Sequence, residues 1–99
     1  MARPFILLAL LGAGLAGCGP SLDAERIAGR TVMVTNDGES MLTVNRIVAN
    51  GQEGRAECVD EPGVSLGPGR SYTTTFFLCD EVGRVDIETD GGSRAISFD

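Results

Sequence analysis

A chain of 99 residues has room for one domain, and its 14 carboxylates against eight basic side chains give a net charge of −6. That sign disfavours nucleic acid and anionic lipid headgroups as ligands, since both require a basic patch. Every basic residue is arginine and there is no histidine, so neither an amine nor an imidazole is on hand for catalysis.

Residues 1–4 provide a positively charged start with Arg3, and residues 5–15 follow as an apolar run broken only by Gly12 and Gly14. This is the length of a secretion signal and too short for a membrane-spanning helix. The run closes on Leu15-Ala16-Gly17-Cys18, which resembles the lipobox of bacterial lipoproteins, where signal peptidase II cuts before a cysteine carrying diacylglycerol. The resemblance implies that residues 1–17 are a cleaved signal peptide, that Leu15, Ala16 and Gly17 are read by the peptidase, and that Cys18 is lipidated. The residue types suit that chemistry. Ala16 and Gly17 are small enough for an extended chain to enter a narrow protease site, and the Cys18 thiol is the nucleophile that accepts the lipid. Each buried methylene is worth roughly 0.8 kcal/mol, so several acyl chains on one residue hold it in a membrane permanently. The alternative is an ordinary secretory signal cut near Ala16, with Cys18 a free thiol.

In the resembling family an aspartate after the lipidated cysteine commonly retains the protein at the inner membrane. Gly19 stands there instead, which points to the outer membrane, with the domain facing the periplasm. Residues 18–30 are expected to be a flexible lipidated tether, with room for one helical turn over 22–27. With Cys18 given to lipid, Cys58 and Cys79 are an even pair in an oxidising compartment, and a disulfide is expected. Closing that loop of about 22 residues is worth roughly 3 kcal/mol to a small domain. A two-cysteine metal site would need further ligands, and histidine is lacking. No cofactor or metal is expected.

From residue 31 the chain reads as short β runs punctuated by glycine turns, with no helical spacing of apolar residues. Residues 31–36 put Val32 and Val34 on one face, and the turn signal at 36–40 leads to a second strand over 41–49, a plausible hairpin. In the second strand the alternation slips at Asn45-Arg46, the mark of a bulge. Asn50-Gly51 offers another turn, a short run follows near 55–59, and Pro62, Gly63, Gly67, Pro68 and Gly69 make the next segment a loop. Residues 71–79 form the strongest strand signal, with Tyr72, Thr74, Phe76 and Leu78 on one face and Phe77 and Cys79 on the other. Residues 85–89 alternate apolar side chains with carboxylates, and Asp90-Gly91-Gly92 connects them to 94–98, where Ile96 and Phe98 close the core.

The expected fold of residues 31–99 is therefore all-β: a small antiparallel β-sandwich, immunoglobulin-like or a partly open barrel, of about five to seven short strands. A transmembrane barrel needs at least eight strands of about ten residues each and does not fit. Asn36, Gly38, Leu42 and Val44, followed by Leu66, Pro68, Gly69 and Ser71, are similar to the N-x-G-x-x-x-L-x-V and L-x-P-G-x-S motifs of hydin-type immunoglobulin-like domains of exported bacterial proteins. The chain is shorter than a seven-strand domain of that type.

Carboxylates are plentiful at Asp60-Glu61, Asp80-Glu81 and in the row Asp86, Glu88, Asp90. Paired carboxylates can run glycoside hydrolysis, and a row of them can hold calcium, but this row lacks the spacing of a recognised calcium loop. A solvated strand face and charged loops account for them more simply. The functional expectation is a membrane-anchored envelope lipoprotein that is no enzyme but an interaction module for another envelope protein. Its contact surface is expected on a free strand edge or the loop at 61–70. The alternative is an inhibitor of a cationic hydrolase such as lysozyme, towards which negative charge would steer the encounter.

Overall fold

Short runs that alternate apolar with polar residues make the chain extended, and turns rich in glycine and asparagine cut it into strands. A computed structural model describes residues 20–98. Among these, eight strands occur: β1 (Leu22–Ala28), β2 (Thr31–Asn36), β3 (Leu42–Ala49), β4 (Val59–Asp60), β5 (Val64–Leu66), β6 (Ser71–Thr75), β7 (Arg84–Thr89) and β8 (Gly92–Ser97). They form two antiparallel sheets, one ordered β1-β2-β6 and the other β4-β3-β7-β8, with β5 also paired to β3.

The inward residues of the two sheets meet in one core. Leu22, Val32 and Val34 come from the first sheet, Val44, Ile47, Val85 and Ile87 from the second, and Phe76 and Val82 from the connection between β6 and β7. All are buried, and Ile96 and Phe98 pack against them half-buried. The fold is the expected β-sandwich. The first, second and sixth strands in one sheet, and the third, seventh and eighth in the other, reproduce the A-B-E and C-F-G sheets of an immunoglobulin-type sandwich.

Several expectations are corrected. The segment expected as a tether is strand β1, paired with β2 from Leu22↔Asn36 to Ala28↔Thr31, so the domain begins at Leu22 rather than Thr31 and no helical turn forms at 22–27. Aspartate, alanine and glutamate are poor strand formers, but Leu22, Ala24 and Arg26 face inward while Asp23, Glu25 and Ile27 face out. The neighbouring strand supplies what propensity lacks. The expected hairpin between β2 and β3 does not form either: β2 is flanked by β1 and β6, and β3 by β7, β4 and β5. Residues 37–41 carry the chain from one sheet to the other.

The run near 55–59 splits into a 3-10 turn (Ala56–Cys58) and the two-residue β4, and the glycine- and proline-rich loop contains β5. The strand expected over 71–79 stops at Thr75, because the chain turns at once to bring Cys79 to Cys58. Additional strands at 22–28, 59–60 and 64–66 take the count beyond five to seven. The expected bulge is present, as the register of β3 on β7 shifts between Val44 and Arg46. At Asn50-Gly51 the φ values of 57° and 68° and the bond from Gln52 N–H to the Ala49 carbonyl (3.1 Å) make a tight turn of the hairpin type.

Candidate functional site

The most distinctive corner of the molecule is built around the disulfide between Cys58 and Cys79, whose Cα atoms lie 5.1 Å apart. Cys58 ends the 3-10 turn and Cys79 closes a turn at 76–79, and both are buried. The bond therefore joins the connection after β3 to the crossover from β6 to β7. Gln52 Oε1 sits 3.2 Å from Cys58 Sγ, a contact rather than a hydrogen bond because a disulfide sulfur carries no proton.

Backbone geometry at this corner turns apolar side chains outward. Phe76 is buried, yet Phe77 and Leu78 are 79% and 80% exposed. Beside them runs a cleft of about 240 Å³ lined by Glu57, Val59, Asp60, Thr74, Phe77 and Leu78. Of these, Asp60 accepts at Oδ2 a 2.6 Å hydrogen bond from the Tyr72 hydroxyl. Burial, and then the bond to Asp60, hold the Tyr72 phenol above its ordinary value of 10.0. Arg55 bridges Glu57 at 2.9 Å and Asp80 at 3.6 Å. The Glu57 carboxyl lies below the usual range, first because it accepts its own backbone N–H and then because Arg55 binds it.

The carboxylate row on β7 does not converge. Asp86 pairs with Arg84 at 3.0 Å, Glu88 pairs with Arg46 at 3.0 Å, and Asp90 Oδ1 accepts the Thr43 N–H at 3.1 Å. The hydrogen bond that Arg46 donates to Glu88, and then the Glu88 charge, raise the Arg46 guanidinium further. Each acid is thus engaged separately, and among the described residues no group of three or more histidine, cysteine, aspartate or glutamate side chains could hold a metal ion.

Leu15, Ala16, Gly17 and Cys18 lie outside the described residues. Asn36, Gly38, Leu66 and Gly69 meet in space. Asn36 Nδ2 donates to the carbonyls of Ser40 and Leu66, its Oδ1 accepts Gly38 N–H, and its backbone exchanges bonds with Gly69 and Arg70. Sequence reasoning missed the outward display of Phe77 and Leu78. No local signal marked it: a disulfide can join residues inside strands, and the turn at 76–79 follows from tertiary bonds such as Cys79 N–H to the Phe76 carbonyl and Phe76 N–H to the Arg30 carbonyl. No protein-family model matches the chain, and no curated protein matches it.

Proposed function

We propose that the chain is a lipoprotein of the bacterial envelope, anchored through lipid on Cys18 at the outer membrane, whose β-sandwich is a non-catalytic interaction module on the periplasmic side. The carrying observation is the unbroken Leu15-Ala16-Gly17-Cys18 after an apolar run of signal-peptide length. The lack of histidine and lysine, and the separate pairing of each carboxylate on β7, support a role in binding rather than catalysis.

Labelling of producing cells with an alkyne-tagged palmitate, followed by intact-mass measurement, tests the anchor. The expected product starts at Cys18, carries diacylglycerol on sulfur and sediments with outer membranes. Cys18→Ser is expected to abolish label and leave the precursor uncut. An unmodified Cys18, or a retained leader in cells that process other lipoproteins, would overturn the reading.

A further inference from the structure

Between two buried residues, Phe76 and Cys79, the chain holds Phe77 and Leu78 in water. Four ties keep them there: the disulfide, Cys79 N–H to the Phe76 carbonyl (3.2 Å), Phe76 N–H to the Arg30 carbonyl (2.9 Å), and Arg30 Nε–H to the Cys79 carbonyl (2.7 Å). Water selects against an exposed phenyl and isobutyl side by side, and a rigid turn prevents them from folding back. An apolar pair displayed in one fixed arrangement binds with little ordering cost.

We infer that Phe77 and Leu78 are the docking knuckle for a protein partner presenting an apolar pocket rimmed by arginine or lysine. This deepens the proposed interaction role and takes from it only the position of the anchor. Glu57 and Asp60 line the cleft beside the pair, and Asp80 and Glu81 follow it in sequence. The nearby guanidiniums are committed within this chain: Arg55 to Glu57 and Asp80, Arg26 to the Val82 carbonyl and to Glu81 at 4.0 Å, and Arg30 to the Cys79 carbonyl. This leaves Asp60 as the acid of this rim without an ion pair among the described residues, and from Cys18 onward seven arginines face fourteen carboxylates. Such a surface favours a basic rim and is repelled by anionic headgroups.

Position argues against the bilayer as the occupant as well. Strand β1 starts beside Asn36 and ends beside Thr31, and Phe76 is bonded to Arg30 at that far end. A strand of this length carries the pair about 20 Å from the end where Pro20 enters. Only Gly19 separates Pro20 from Cys18, so with an anchor there the pair sits at the end of β1 opposite the one the anchor joins.

The test uses the full-length protein in producing cells, with the photo-crosslinker p-benzoylphenylalanine replacing Phe77 and, separately, Met41, which is 64% exposed at the Pro20 end. The expected result is a discrete protein adduct at position 77, much weaker at position 41, reduced at least about fivefold by Leu78→Asp, with the crosslinked peptide flanked by lysine or arginine. Unchanged thermal melting of Leu78→Asp shows that the variant is folded; if it melts early, Leu78→Ser replaces it. The inference is overturned by no protein adduct at 77, by phospholipid adducts or adducts to a second copy of the chain, by equal yield at 41, by indifference to the Leu78 change, or by a partner peptide without basic residues. Palmitate labelling in the same cells reports separately on Cys18, so loss of the anchor and loss of the docking site give different results.

Discussion

Asn36 is the only fully buried polar side chain among the described residues. Its amide replaces a run of backbone pairing, closing the turn at 37–41 and tying it to the end of β5 through the Leu66 carbonyl at 2.8 Å. Asn36→Ala would leave the Ser40 and Leu66 carbonyls and the Gly38 N–H without this partner. A loss of about 2–4 kcal/mol is expected, read as a shift in urea midpoint at unchanged slope. Gly38 in the same turn sits where an added Cβ would meet Ser21 Cβ at 2.9 Å, so only hydrogen fits. Tyr72 is the only tyrosine, so tyrosinate absorbance reports directly on its environment. Because the folded phenol titrates above 10.0, the stability it contributes is intact below pH 10 and is lost as pH climbs through its raised value. Tyr72→Phe is expected to lose about 1 kcal/mol at neutral pH and to show a flatter fall in stability above pH 10. The turn character of Asn36 to Ser40 was readable from residue types, but the burial of Asn36 was not. That depends on Leu66, thirty residues on, and no local pattern encodes such a pairing.

At the scale of the strand, β8 is the informative element, since it forms one edge of its sheet and is mostly exposed. Phe98 N–H bonds to the Gly83 carbonyl, and the register pairs Ile96 with Val85 and Arg94 with Ile87, so the N–H groups of Ser93, Ala95 and Ser97 point away from β7. Ala95→Pro should therefore be tolerated, with a melting temperature within a few degrees of the parent, whereas Ile96→Pro removes a ladder bond and a half-buried side chain and should cost about 3 kcal/mol or more. Equal destabilisation by the two would show that the outer edge of β8 is not free. Strands with clean alternation, β2 and β7, were plain in the sequence. β1 was hidden by acidic residues and alanine, whose inward partners become evident only once β2 lies alongside. β6 was overextended because residues 76–79 continue the apolar and aromatic run of the strand, while in the fold Phe76 bonds the Arg30 carbonyl and the chain turns over 76–79.

For the molecule as a whole, the disulfide ties the crossover between sheets to the loop following β3, and it is buried in a domain with a small core. Replacing Cys58 and Cys79 together with alanine is expected to lower stability by about 3 kcal/mol in equilibrium denaturation. Thiol trapping of the denatured, unreduced mature protein should find no free thiol at either position. Fold class was legible because period-two alternation, glycine turns and an even cysteine pair all pointed to a stapled sandwich. Which strands share a sheet was not, because β2 and β3 look like hairpin partners locally and are separated only by competition from β1, β6 and β7. β1 also has a mechanical meaning. A tension entering at Pro20 and resisted at Phe77 passes along β1, across β2 and out through β6, parallel to all three strands. The rungs between them are then sheared together instead of being peeled in turn, so the first sheet acts as a stiff strut between its two ends.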